Sequence, residues 1–312
     1  MKAARTACLF IGSVVGAGFA TGQEIALFFG GGSLLNLVIS ACFMGGASYL
    51  FLEMGAEGAV RDRRISLAVD TLVALCSFVV YTAMIASSES LLYSLFGVRN
   101  LSLILVLGCL FVSGKSLKWV SRLNFAAVPV MILLVALVGI KSPSVCLSGS
   151  VRVVRSAAYG AMNMLFSGAL MMKEGERLSK KERKLASLFG GVLIFVLLLF
   201  MFRSVGNQGG EMPFLQAAKA SGLGALVPAS LLLAILTTMA SCNYLVTDRL
   251  AALVRDPVLA CTLPALGGVL LSRFGFSVIV NTAYPVVSYL GLVFSLLSIL
   301  YSIILARKRV NC

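Results

Sequence analysis

The side chains best suited to chemistry stand in three short stretches. The first is Gly12-Ser13-Val14-Val15-Gly16-Ala17-Gly18-Phe19-Ala20-Thr21-Gly22-Gln23-Glu24, inside an apolar run from about residue 5 to residue 30. That run is long enough to cross a bilayer, which takes roughly 20 residues. Glycine weakens a helix and lets backbone approach a ligand closely. A carboxylate at membrane depth costs at least ~2.5 kcal/mol, and interrupted helix is tolerated there only beside protein or a water-filled cavity. The stretch therefore reads as the wall of a binding site. A small-residue packing face also explains Gly12 and Gly16, but not Gln23 and Glu24. Glu24 has two competing roles: as an anion it pairs with a cationic part of a solute, and as a titrating acid it carries a coupling proton. A third role, solvated at the outer interface, remains open.

The second stretch holds Tyr159, Asn163 and Ser167, spaced four apart and so on one helical face. Asn163 is expensive against lipid, which suggests a site; interhelical hydrogen bonding is the competing account. The third holds Thr237, Thr238 and Ser241 after Ala234. Clustered hydroxyls and a nearby carbonyl suit a small hard cation, although Ser and Thr in membrane helices often bond back to the carbonyl four residues earlier. Tyr81 falls near mid-depth of another apolar run, where its hydroxyl needs a partner.

The elements that position these residues follow from composition. The 312-residue chain is 59% hydrophobic and 12% charged, with mean hydropathy +1.00. A soluble domain carries about 25% charged residues. Long apolar runs without strict alternation exclude a membrane barrel. The fold class is an all-α polytopic membrane protein, with lipid around it. The chain contains no histidine, which removes the commonest general base and metal ligand. Its eight cysteines show no CxxC pair, so neither disulfides nor a metal cluster is expected. Lys2 and Arg5 before an apolar run imitate a signal peptide, but the run continues through Gln23 and Glu24 and reads as a retained first span.

Breaking the chain at charged and Gly/Pro-rich clusters predicts about ten spans: 5–30, 33–54, 66–96, 99–113, 123–141, 153–172, 185–203, 224–248, 257–272 and 281–306. With a cytoplasmic N-terminus, the great majority of the 26 Lys and Arg residues fall in inside segments. Both termini are then cytoplasmic, as expected of a multi-pass cell (inner) membrane protein. The net charge of +14 becomes a topology signal, with no nucleic-acid partner needed. The spans divide five and five, 1–145 and 146–312, within a single transmembrane domain. An odd number per half turns the second half upside down, an inverted-repeat transporter architecture. The first and sixth spans each hold an irregular centre, so both are expected to be broken helices. In the outer connection, Pro213 suits the first turn of a short helix running to Ala220.

The run from Phe10 to Ile25 resembles the YkvI-like bacterial membrane proteins of the amino acid–polyamine–organocation superfamily. Glu211-Met212-Pro213-Phe214 and the ten-span layout agree with it. The resemblance implies the LeuT-type five-plus-five fold. In sodium-coupled members of that fold, one sodium ion lies between the broken first span and the eighth. Carried over, its ligands are the carbonyls of Gly12, Val15 and Ala234 and the hydroxyls of Thr237 and Thr238. Substrate positions implied here are Gly16, Ala17, Gly18, Tyr159 and Asn163, under a third-span aromatic, Tyr81; Gln23, Glu24 and Ser167 join them from the reading of the residues themselves. The sixth span lacks the paired glycines of many amino-acid carriers.

The expected function is secondary active transport of a small organic solute, amino-acid-like or an amine, by symport with sodium or protons and alternating access. The alternative is a non-transporting solute sensor of the same fold, like a germinant-receptor membrane subunit. An enzyme is not expected, since no pair of catalytic carboxylates is evident.

Overall fold

The computed structural model describes the chain except residues 59–62, 114–115, 143–148, 207–211 and 311–312, and except the side chains of 17, 63–66 and 302–310. Glu211, Arg61 and most of the outer connection before Pro213 thus lie outside the described residues. About 85% of the described residues are helical, and the one bridge among them joins Gly32 to Ser150.

The first span is three pieces: α1 (Lys2–Val14), α2 (Ala17–Thr21) and α3 (Gln23–Phe29). Two glycines make the joints. Gly16 is extended, and its N–H turns to Val14 O at 2.9 Å instead of the Gly12 carbonyl four residues back. Gly22 sits at φ +84° between α2 and α3, a left-handed conformation that a side chain disfavours.

The other spans are α4 (Leu34–Ala56), α5 (Arg63–Phe96), α6 (Ser102–Ser113), α7 (Leu117–Lys141), α8 (Val153–Gly175), α9 (Lys180–Val205), α11 (Val227–Ala251), α12 (Pro257–Ser272) and α13 (Phe276–Val310). A short α10 (Pro213–Ala220) precedes α11, with Pro213 in its first turn as expected. Six helices are long and apolar enough to cross a membrane, and α6 and α12 are shorter apolar helices. With the broken first span and α8 they make ten crossings of an all-helical polytopic membrane protein. Both α7 and α9 start before their predicted spans because helix outlasts hydropathy: Ser179 caps α9 through a reciprocal capping box with Glu182.

One expectation fails. The sixth span, α8, is a single unbroken helix. Its glycines, Gly160 and Gly168, are isolated and accommodate Phe43 and Phe51. Its polar residues bond along the helix, Asn163 Nδ2 to Tyr159 O at 3.0 Å and Ser167 Oγ to Asn163 O. Nothing frees the backbone for a break.

Helices α1, α4, α8 and α9 pack on one another, while α5, α6, α7 and α12 pack around α11. Exchanging each of the first five spans for its counterpart five later reproduces the pairings. α1 lies on α7 as α8 lies on α13; α4 lies on α8 as α9 lies on α1; α5 lies on α12 as α11 lies on α6. Buried Asn36 ties the start of α4 to the entry of α8, giving a bond to Ser150 O at 2.9 Å and taking one from Arg152 N at 2.8 Å. On the face that carries the N-terminus, Arg183 grips Glu53 through two bonds, 3.0 and 3.2 Å, and Lys173 pairs with Asp248.

Candidate functional site

The break in the first span meets α11. Because Gly16 N–H is turned away, the Gly12 carbonyl is free for another donor. Thr238 Oγ1 lies 3.1 Å from it and 3.4 Å from the Val15 carbonyl. Close approach requires the glycine: a β-carbon on Gly16 would stand 3.1 Å from Thr238 Cγ2 and 3.4 Å from Met84 Cε. Thr237 Oγ1 donates to Ala234 O at 2.9 Å, and Ser241 Oγ donates to Thr237 O at 2.9 Å. Two of the three hydroxyls therefore bond back along their own helix, and Thr238 alone among them crosses to α1. The oxygens of Gly12, Val15 and Thr238 form one group. Thr237 with Ala234 forms a second, one residue and one turn away on α11. This all-neutral oxygen set fits a small monovalent cation. Asn124 of α7 stands behind it, with Nδ2 on Val120 O at 2.9 Å and Oδ1 against Gly12, without a hydrogen-bond partner among the described residues.

Beside the break is a closed cavity of about 10 Å³, the room of about one water-sized sphere. Its polar wall is Ser13, Glu24, Asn163, Thr238 and Tyr284; Val14, Val80, Met84, Met162 and Phe166 complete it with Gly16. Glu24, in the first turn of α3, folds back over Gly18, where a β-carbon would overlap its carboxyl group. It is 4% exposed, and its Oε2 has no hydrogen-bond partner among the described residues. Tyr159 of α8 and Tyr284 of α13 are the titratable side chains that face it.

Two aromatic clusters stand as plugs beyond the cavity wall, one toward each side of the bundle. On the side away from the N-terminus, Phe28 and Phe29 hold the Tyr159 ring between them, centroids 5.2 and 4.9 Å away. Outside this plug lies a vestibule of about 580 Å³ lined by Phe28, Arg152, Arg155 and Tyr289. On the N-terminal side, Phe51 stacks on Phe294 at 5.7 Å and 9°. Beyond this second plug is a vestibule of about 240 Å³ lined by Asp70, Met172, Lys173, Glu176 and Phe294. Helix α8 runs past all of it: Tyr159 in one plug, Asn163 in the cavity wall, Gly168 under Phe51, Met172 in the other vestibule.

The predicted residues are thus only partly gathered. Gly16, Gly18, Glu24, Tyr159 and Asn163 surround the cavity or its plug. The Ala17 backbone opens α2, and its side chain lies outside the described residues. Gln23 N–H meets Thr21 Oγ1 at 3.5 Å, and Gln23 is not among the cavity wall. Ser167 faces its own helix. Tyr81 turns toward Gly268 of α12 and the thiols of Cys109, Cys242 and Cys261, while Val80 and Met84 of the same helix reach the cavity. The sequence reading missed Ser13, Met84, Met162, Phe166, Tyr284 and the Phe51–Phe294 stack. Tyr284 carried a signal, a phenol before Pro285 inside an apolar span. The phenylalanines carried none.

No known family model matches the chain. The Bacillus subtilis (strain 168) protein YyaD, itself uncharacterized, is 27% identical over 330 aligned positions, covering 95% of this chain and 96% of the relative. Two solved structures share the fold. Mhp1, a nucleobase-cation-symport-1 family transporter in a closed conformation with bromovinylhydantoin bound, matches 91% of this chain and 74% of its own (TM-score 0.61, 15% identity). The Eremococcus coleocola manganese transporter, in complex with an aromatic bis-isothiourea compound, matches 97% and 77% (TM-score 0.60, 14% identity).

Proposed function

We propose that this chain is a secondary transporter of a small organic solute, driven by a cation gradient. The observation that carries the reading is the small buried cavity with an aromatic cluster and a vestibule toward each side of the bundle. A protein that only bound a solute needs one entrance. A carrier needs two that open in turn, with the site between them. The fold shared with two solved transporters supports this, as does the YkvI-like pattern of the first span.

The five-span halves, 1–145 and 146–312, are inverted repeats in this reading, and the exchange of packing partners supports it. Gly12, Val15, Ala234, Thr237 and Thr238 would hold a sodium ion. Such an ion supplies charge to the bared carbonyls and fastens the broken span to α11. The basic residues of the N-terminal face, among them Lys2, Arg177, Lys180 and Arg183, support a cytoplasmic position for that face in a cell (inner) membrane protein. No enzymatic chemistry is assigned.

Uptake of radiolabelled amines and amino acids into liposomes holding the purified protein tests the reading, with sodium and proton gradients applied separately. Gradient-dependent uptake of one solute class is expected. Solute binding without uptake under either gradient would instead support a sensor.

A further inference from the structure

We propose that Glu24 carries a proton and an organic ammonium ion in turn, never both, so that the protein exchanges one for the other across the membrane. The proposal rests on the transporter reading and names the solute class of the same cavity, which widens from the room of one water when either entrance opens. Among the described residues Glu24 is the one formally charged residue in the cavity wall, and no Lys or Arg lines it. Its facing titratable neighbours, Tyr159 from α8 and Tyr284 from α13, bring no positive charge, and the wall contributed by α1, α5 and α11 holds no further titratable group. An anionic solute would set a second negative charge beside Glu24, against at most the single positive charge of a sodium ion at Thr238. An ammonium ion pairs with Glu24 directly, and Phe166 and Tyr284 in the same wall are aromatic side chains of the kind that attract a cation. A divalent metal ion asks for several oxygen ligands. Among the described residues no three His, Cys, Asp or Glu converge, so a divalent ion would meet a single charged ligand, Glu24.

One carboxylate satisfies one positive partner. When a proton from water binds Glu24, the ion pair with the ammonium breaks and the ammonium departs. When the next ammonium pairs with the carboxylate, the proton returns to water on the side that is then open. One proton moves against one cation, and net charge is conserved.

The test uses phenyltrimethylammonium, a permanent cation with no membrane-permeant free base. In detergent, its apparent Kd for the wild type should rise by up to about tenfold per pH unit of acidification, as linkage requires of two ligands competing for one group. Glu24→Asp should keep the competition at altered affinity, and Glu24→Gln should lose the pH dependence while remaining monodisperse on gel filtration. In liposomes containing a pH dye, a phenyltrimethylammonium gradient should drive protons the opposite way. Binding that ignores pH in the wild type overturns the proposal. So does preference for 3-phenylpropionate, or for Mn²⁺, over the ammonium probe. Competition in detergent without proton movement in liposomes would support the shared carboxylate and overturn the transporter reading instead.

Discussion

The Thr238 hydroxyl on α11 reaches the Gly12 carbonyl on α1 at 3.1 Å, a bond that exists because Gly16 N–H has turned away to Val14. The break and the hydroxyl are two halves of one feature. Thr238→Ala should therefore abolish sodium-dependent stabilisation of the purified protein, whereas Thr237→Ala, whose hydroxyl serves its own helix, should leave a weakened response. At 100 times Kd a ligand adds about 2.7 kcal/mol, readily visible as a shift in melting temperature with and without sodium chloride. Equal loss in both variants would contradict the distinction.

Gly18 and Gly22 fail differently when given a methyl group. Gly22→Ala forces a side chain into a left-handed position and against Val205, at a cost of ~1–2 kcal/mol for the backbone alone. Melting temperature should fall. Gly18→Ala displaces the Glu24 carboxyl and should alter solute affinity more than stability. Thermal melts and binding isotherms on the same preparations would separate the two effects.

The plugs should act independently. Phe294→Leu removes the stacked partner of Phe51 and should admit water from the N-terminal side. Phe29→Leu loosens the Tyr159 clamp and should admit it from the other. A cysteine placed at Met162 in an otherwise cysteine-free background reports the difference by its labelling rate in sealed vesicles of each orientation. Faster labelling from the same side in both variants would refute the assignment of the two entrances.

Orientation is testable without any ligand. Cysteines at Ser179, in the turn before α9, and at Gly222, after α10, should be reached by an impermeant maleimide from opposite sides of intact cells, Gly222 from outside. Labelling of Ser179→Cys in intact cells and of Gly222→Cys only after lysis would invert the topology.

The fold was largely legible. Hydropathy located ten crossings because lipid demands about the same apolar length of each, and two glycines announced the broken span, Gly22 by a left-handed backbone that few residues tolerate and Gly16 by the close approach of Thr238. Pro213 likewise announced α10. The site was legible only in its backbone part. Which residues of α5 reach the cavity depends on how that helix is rotated against α12, and the pattern around Tyr81 does not encode that rotation. Ser167 and Asn163 share a face by spacing, yet Ser167 spends its hydroxyl on the Asn163 carbonyl. The Phe51–Phe294 stack joins the second span to the tenth, and such a pairing appears only once the chain has packed. The expected break in the sixth span rested on polar residues in mid-membrane; those residues bond along the helix and sustain it.

That unbroken sixth span works as a lever. Tyr159 and Met172 are thirteen residues apart on one rod, or ~20 Å. Tilting the rod about Asn163 by roughly 10° carries the Tyr159 end about 1 Å and the Met172 end about 2 Å in opposite directions. Loosening one aromatic seal would then tighten the other, so a leak path open at both ends is opposed by the stiffness of a single helix, with no signal passed between the two ends.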